Sequence, residues 1–299
     1  MTRDEEDAAM PEADDRSGLE KLAQDLLGTL ERELGSGDAE DSEDTGALDR
    51  ALAAARGIAI DFVRRYHRLE VDLDVGTLSE PVLFVANHGF GGIFDLNVLA
   101  VGAALDDLEL DRPVTVLTHQ SAWTLGLGPL IEHAGARPAS PDSAREAFAA
   151  GHHVVVFPGG DLDAFKSFAE RNQIVFGGRA GFARLALSEQ VPIVPIVTAG
   201  AGESLVALSG GDQLARALRL DKLLRLKRVP ITLSVPWGVN IGAVGLLPYL
   251  PLPSKLQTRV LPLTRPLPDD DAETFAGRVH TLMQDALTAM TAHRRPLLG

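Results

Sequence analysis

Two strand-length runs, Val82-Leu83-Phe84-Val85 and Val155-Val156-Phe157, are apolar at successive positions and empty into glycine-rich turns. Neighbouring strand residues point to opposite faces, so such runs need cover on both sides. A central strand of a helix-flanked sheet provides it. The runs belong to strands over 81–86 and 154–157, and others fit 69–75, 114–118, 193–197, 231–235 and 258–261. Helical patterns fit 47–66, 96–104, 143–150, 180–188, 214–224 and 271–289. Strands alternating with helices predict an α/β fold: a single layered domain with a mixed, mostly parallel sheet flanked by helices. Strands 69–75 and 81–86 are expected to pair across a turn at Gly76.

The formal charge of −14 sits mostly at one end. Residues 1–50 hold 17 acidic and 5 basic residues, the rest of the chain 25 and 23. Residues 1–47 therefore read as an acidic tail, disordered over 1–18 and 35–47, and 48–299 as the folded domain. Within the tail, Leu19, Leu22, Leu26, Leu30 and Leu34 share a helical face and suit a short amphipathic helix. No basic stripe is present for nucleic acid. With no cysteine there is no disulfide, thiolate ligand or thiol nucleophile. Met1 to Leu19 is acidic and polar, unlike a cleaved leader, so cytoplasmic placement is expected.

The first run leads through Asn87-His88-Gly89-Phe90-Gly91-Gly92-Ile93-Phe94 to Asp95, where a helix begins. Loops at the carboxyl ends of sheet strands are where α/β folds bind ligands. An imidazole can accept a hydroxyl proton near neutral pH, and a carboxylate on its other nitrogen orients it. The residues alone also fit a plain helix cap by Asp95, with His88 satisfied in a turn. The second run leads into Pro158-Gly159-Gly160-Asp161, followed by Lys166; its glycines permit close backbone approach to a ligand. In Gly178-Arg179-Ala180-Gly181-Phe182, Arg179 stands near a helix N-terminus, a place suited to anions, or is an exposed turn arginine.

Together these elements resemble the glycerolipid acyltransferase superfamily over roughly Leu69 to Thr198, and more weakly beyond. Asn87-His88 through Asp95 is similar to the family's first block, its His/Asp element. Phe157-Pro158-Gly159-Gly160-Asp161 is similar to the third, commonly Phe-Pro-Glu-Gly, and Val191 to Val197, with its two prolines, to the fourth. Gly178 to Phe182 matches the basic-glycine-aromatic element between them. The resemblance implies an O-acyltransferase that moves a fatty acyl group from acyl-CoA or acyl carrier protein to the hydroxyl of a glycerolipid or other lipid alcohol. It implies His88 as general base with Asp95 as its partner. Asn87, Gly159, Gly160, Asp161, Lys166 and Arg179 would then be substrate-binding, with neither metal nor bound cofactor.

Three departures from the family pattern bear on the substrate. Six residues separate His88 from Asp95 where four are usual. Gly159 stands where the pattern has glutamate, which leaves that role to Asp161 or to no residue. Arg137, in the stretch Leu130 to Arg137, is the candidate for the second block's acceptor-phosphate arginine. These changes point to a neutral lipid alcohol such as diacylglycerol.

Other hydrolytic chemistries lack their signatures: there is no Gly-x-Ser-x-Gly elbow and no His-Glu-x-x-His. The rival reading is a catalytically inactive lipid-binding or scaffold protein that keeps the fold. A His88–Asp95 separation beyond hydrogen-bond reach would favour it. No charge occurs between Arg228 and Lys255, and Pro230, Pro236, Pro248, Pro251 and Pro253 would break a spanning helix. The stretch reads as a strand and a buried proline-ordered loop, or as an apolar surface (Leu246, Leu247, Tyr249, Leu250, Leu252) that meets lipid. Peripheral membrane contact is expected around 236–252 and at the 19–34 helix.

Overall fold

The computed structural model describes residues 43–89, 95–118, 132, 135–209, 231–234, 238–241 and 250–299. The tail through residue 42 with its 19–34 helix, the helix expected over 214–224, and Leu246, Leu247 and Tyr249 lie outside the described residues. Two compact units divide between Ile58 and Ala59. The described part of the first is the opening of helix α1, Glu43–Tyr66, where Arg50 Nε donates to the Gly46 carbonyl at 3.2 Å. The second unit carries all the described strands.

Strands β1 (Glu70–Leu73), β2 (Leu83–Ala86), β3 (Val114–Thr118), β4 (Ala136–Pro138), β5 (His153–Val156) and β6 (Ile193–Ala199) belong to one sheet. β7 (Val206–Ser209), β8 (Ile231–Ser234) and β9 (Gly238–Ile241) form a second, antiparallel one, and β10 (Gln257–Val260) returns to the first. The order in the large sheet is β1-β10-β6-β2-β5-β3-β4. All its pairings are parallel except β10 with β6. The sheet is thus mixed and mostly parallel, as the strand–helix alternation predicts.

Every residue of β2, β5 and β6 is buried. Alternation along these strands sorts their side chains into two cores. Leu83, Val85, Val154, Val156, Ile193 and Val197 face one side. There α3 (Pro141–Ala149) and, beyond the single turn α4 (Asp161–Ala164), α5 (Gly181–Glu189) pack with α6 (Ala272–Thr291). Helix α6 contributes Phe275, Val279, Met283 and Leu287, spaced by four for a single face. Phe84, Ala86, Val155, Val194 and Ile196 face the other side, against Val101 and Ala104 of α2 (Leu96–Asp107).

The expected pairing of the first two strands is corrected: β10 and β6 stand between β1 and β2. β2 is apolar on both faces and needs the sheet centre, whereas β1 carries Glu70 and Asp72 and suits an edge. Its charge meets β10 in register, with Asp72 opposite Arg259 and their side chains paired at 2.8 Å. β4, β7 and β9 were not anticipated; each is three or four residues long. Among the described residues no helix is long and apolar enough to cross a membrane.

Burial also sets a pH response. His67 is fully buried, its Nδ1 lies 2.9 Å from the Ser254 carbonyl, and its Nε2 has no partner among the described residues. Burial pushes its pKa down from 6.5 to about 4, against the Ser254 bond, which raises it. Burial likewise lowers His153. The unfolded chain therefore binds protons between about pH 6.5 and pH 4 that the folded chain refuses, so stability is full above pH 6.5 and falls as the medium acidifies. The expected loss from His67 alone is about 2 kcal/mol between pH 7.5 and pH 5. Urea melts at the two pH values check it. His67→Asn, which keeps a donor for Ser254, should remove that share of the pH dependence.

Candidate active site

β2 and β5 are parallel neighbours, so the turns after them leave from the same edge of the sheet. His88 follows β2 directly, and its Nδ1 meets Asp95 Oδ2 at 2.6 Å. The longer spacer does not separate them; residues 90–94 lie outside the described residues. Asp95 does two things at once. Its Oδ1 caps α2, accepting from the Asn97 and Val98 amides at 3.0 and 3.4 Å, while Oδ2 holds the imidazole. The cap and the dyad, which the residues alone left as alternatives, are the same side chain in one rotamer.

The His88 side chain keeps 18% of its surface accessible. The Phe157 ring lies against it, with ring centroids 4.6 Å apart. Among the described residues no protein group bonds Nε2, which leaves that nitrogen for a ligand. Burial opposes the imidazolium, but the charge and hydrogen bond of Asp95, with the charge of Asp163 added, outweigh burial and Lys166 and hold the pKa above its usual 6.5. With Asp95 accepting from Nδ1–H, the neutral ring presents an unprotonated Nε2, the form a general base requires.

The backbone of His88 is fixed from below. Asp163, fully buried in α4, accepts the His88 N–H on Oδ2 at 2.6 Å. Its Oδ1 accepts Lys166 Nζ at 2.7 Å and the Val175 amide at 2.8 Å. Lys166, 5% exposed, also donates to the carbonyls of His88 at 3.2 Å and Gln173 at 2.5 Å. Lys166, expected among the substrate-binding residues, gives three hydrogen bonds to the protein interior. Asn87, also expected among the substrate-binding residues, bonds the neighbouring strand. It is buried and clamps β2 to β6, donating to the Thr198 carbonyl at 3.1 Å and accepting the Thr198 amide at 2.8 Å.

Arg179 holds the turn after β5. Its Nη1 donates to the Pro158 carbonyl at 3.2 Å and to the Gly159 carbonyl, and its Nη2 pairs with Asp161 at 2.9 Å. Asp161 and Arg179 are thus partners of one another and stabilise the turn that carries both glycines. Gly160 has φ +49° and its amide donates to the Phe157 carbonyl at 3.2 Å. Among the described residues the Gly89 and Gly159 amides have no protein acceptor, although both residues are buried. A buried N–H without an acceptor is costly unless a ligand supplies one. Two glycines are required sterically. A Cβ on Gly89 would lie 2.5 Å from Ala201 Cβ and 2.7 Å from Asn97 Oδ1; one on Gly159 would lie 2.8 Å from the Val175 carbonyl oxygen.

Of the residues expected in the site, His88 and Asp95 form its centre, and Gly159, Gly160, Asp161 and Arg179 form the adjoining turn. Arg137 lies exposed on β4 at the far edge of the sheet from β10 and β1. His152 and His153 make separate contacts: His152 Nδ1 is 3.0 Å from Thr115 Oγ1, and His153 Nδ1 accepts the Val82 amide at 3.2 Å. The role of Asp163 was missed. An aspartate two residues beyond another looks like one of a solvated pair until its burial is known.

Known proteins share this chain's sequence pattern. Residues 63–199 match the Acyltransferase family model. Over 208 residues, 68% of this chain, the sequence is 32% identical to an uncharacterized protein of Mycobacterium tuberculosis, covering 54% of it. Over 169 residues, 56% of this chain, it is 29% identical to a Gallus gallus protein described as a DGAT1/2-independent enzyme synthesizing storage lipids, covering 48% of it. The chain spans about half the length of the curated relatives it matches. An overlay on the crystal structure of the 1-acyl-sn-glycerophosphate (LPA) acyltransferase PlsC from Thermotoga maritima gives a TM-score of 0.48 at 14% identity, covering 92% of this chain and 93% of that one.

Proposed function

We propose, from the match of residues 63–199 to the Acyltransferase family model, that the protein esterifies a neutral lipid alcohol with a fatty acyl group taken from acyl-CoA or acyl carrier protein. The observation that carries the reading is the 2.6 Å contact between His88 Nδ1 and Asp95 Oδ2, which leaves Nε2 unbonded by the described residues. Nε2 takes the proton of the acceptor hydroxyl while its oxygen attacks the thioester carbonyl. The tetrahedral oxyanion collapses, the C–S bond breaks, and the thiolate leaves with the proton returned by His88. The Gly89 and Gly159 amides are the proposed oxyanion donors, each worth about 2.7–4 kcal/mol to the transition state. The reaction so written uses no metal or bound cofactor. An inactive scaffold would have no need to hold an imidazole in this tautomer.

Two cations of the described residues support the neutral acceptor. Lys166 is spent inside the protein, and Arg179 is turned onto the Pro158 and Gly159 carbonyls and Asp161. A phosphate would want charge-assisted hydrogen bonds from such groups. The similarity to a storage-lipid enzyme points the same way. Purified protein given labelled acyl-CoA should prefer diacylglycerol or a long-chain alcohol over lysophosphatidic acid by about tenfold or more in kcat/KM. A preference for lysophosphatidic acid would overturn the neutral-acceptor reading.

A lipid acceptor requires a route to lipid, and we propose peripheral contact through the small sheet. Leu233 and Val239 are cross-strand partners on one face, 45% and 65% exposed, while Thr232, the strand neighbour of Leu233 that points to the other face, is buried. Leu208 and Leu250 are also exposed. Since residues 229–254 carry no charge, adhesion should be insensitive to salt and to anionic lipid. The double substitution Leu233→Asp, Val239→Asp is expected to lower vesicle co-sedimentation several-fold. Unchanged binding would remove this face from the account.

A further inference from the structure

We propose that Asp163, held by Lys166, is the positioning carboxylate of the His88 loop and stands in for the glutamate whose place Gly159 occupies. Two facts meet at this residue. The first is reach: Asp163 bonds the His88 N–H on one oxygen, while Lys166, bonded to the other, holds the His88 carbonyl. Both polar groups of the peptide units flanking the His88 Cα are therefore tied to a single buried ion pair, 0% and 4% exposed at the side chains. With Nδ1 tied to Asp95, position and rotation of the imidazole are both set.

The second is space. A Cβ built on Gly159 would collide with Asp163 Cβ and lie 2.9 Å from its Cγ. The Asp163 side chain thus fills the volume into which a side chain at 159 would grow. A carboxylate at 159 and a carboxylate at 163 are mutually exclusive, and this chain has the second. The departure in the third block is therefore a relocation of the acid by four residues, one helical turn. Asp161, the other candidate for the role, is taken by Arg179. Lys166 accompanies the move because a buried carboxylate needs a buried counter-charge.

A positioning role makes predictions that simple filling of space does not. Asp163→Asn keeps the volume and removes the charge. It is expected to lower kcat about tenfold or more with little change in KM for the acyl donor. The charged groups facing His88 are Asp95, Asp163 and Lys166. Losing the Asp163 charge should therefore move the acid limb of kcat/KM to lower pH. A folded Asp163→Asn with wild-type kcat and pH profile overturns the proposal.

Buried-pair variants can fail to fold, so one readout uses the unaltered chain. The His88 amide proton, donated to a carboxylate at 2.6 Å, should resonate far downfield and exchange slowly. A fast-exchanging, ordinary shift overturns the proposal whatever the variants do. The kinetic arm rests on the acyltransfer reading: if the wild-type protein turns over no acyl donor, that reading fails, while the amide result still decides the role of Asp163.

Discussion

His88→Ala is expected to lower acyl transfer about 10²- to 10⁴-fold while leaving the melting temperature close to wild type. The imidazole is the group placed to take the acceptor proton, and its side chain lies at the surface end of the β2 turn, against Phe157, rather than in either core. Asp95→Asn makes the sharper companion. Asparagine caps helices as well as aspartate does, so the first turn of α2 survives. The charge that orients Nδ1–H and raises the His88 pKa is lost. Turnover should fall by a similar factor, and the acid limb of kcat/KM should move down in pH, since a less basic imidazole reaches its neutral form sooner. Asp95→Ala would confound this, because it also removes the cap at about 1 kcal/mol. Stopped activity with an unmoved circular-dichroism melt supports the assignment. Retention of more than a few percent of turnover by His88→Ala removes it from the mechanism.

The largest expected effect on stability lies at the same end of the sheet, in the turn after β6. Arg294, just past α6, pairs with Glu203 in the turn after β6, with Nε to Oε1 at 2.7 Å and Nη2 to Oε2 at 3.0 Å. Both side chains are 2% exposed, and Glu203 Oε2 also accepts the Leu297 amide at 2.7 Å. Arg294→Ala leaves a buried carboxylate with one amide for company. The expected cost is about 3–5 kcal/mol, or about 10 °C in Tm for a domain of this size. The paired change Glu203→Leu, Arg294→Met should cost much less than either single loss, because a buried ion pair contributes little beyond an apolar pair of the same volume. Urea melts of Glu203→Leu, Arg294→Met and the double variant test this; additive losses would show that the two groups act independently. The site would feel the loss, since Ala201, two residues before Glu203, lies where a Cβ on Gly89 would fall.

Much of this fold could be read directly, because burial on both faces writes itself into composition. β2 and β5 show as unbroken apolar runs, and α6 shows as a four-residue spacing of Phe275, Val279, Met283 and Leu287. The pairing of β1 was hidden, since which strand lies beside which depends on contacts nearly 190 residues apart, such as Asp72 with Arg259. At the site, residue type and order singled out His88 and Asp95. They could not say which polar side chains face a ligand and which face the backbone. Asn87, Lys166 and Arg179 have the chemistry to bind substrate, yet the first two serve buried carbonyls and amides and the third clamps a turn. Asp163 had the opposite fate: nothing in its neighbours announces that its carboxylate passes beneath Gly159 to hold His88.

The central claim is acyl transfer to a lipid hydroxyl that depends on His88, and one assay addresses it directly. Wild-type and His88→Ala proteins, with lipid vesicles, are incubated with labelled acyl-CoA or acyl carrier protein and a panel of diacylglycerol, long-chain alcohols, lysophospholipids and lysophosphatidic acid. The account predicts a labelled ester with the wild type, most with a neutral alcohol, and none above background with His88→Ala. An ester formed equally by both proteins, or no ester from any donor and acceptor pair, would contradict it.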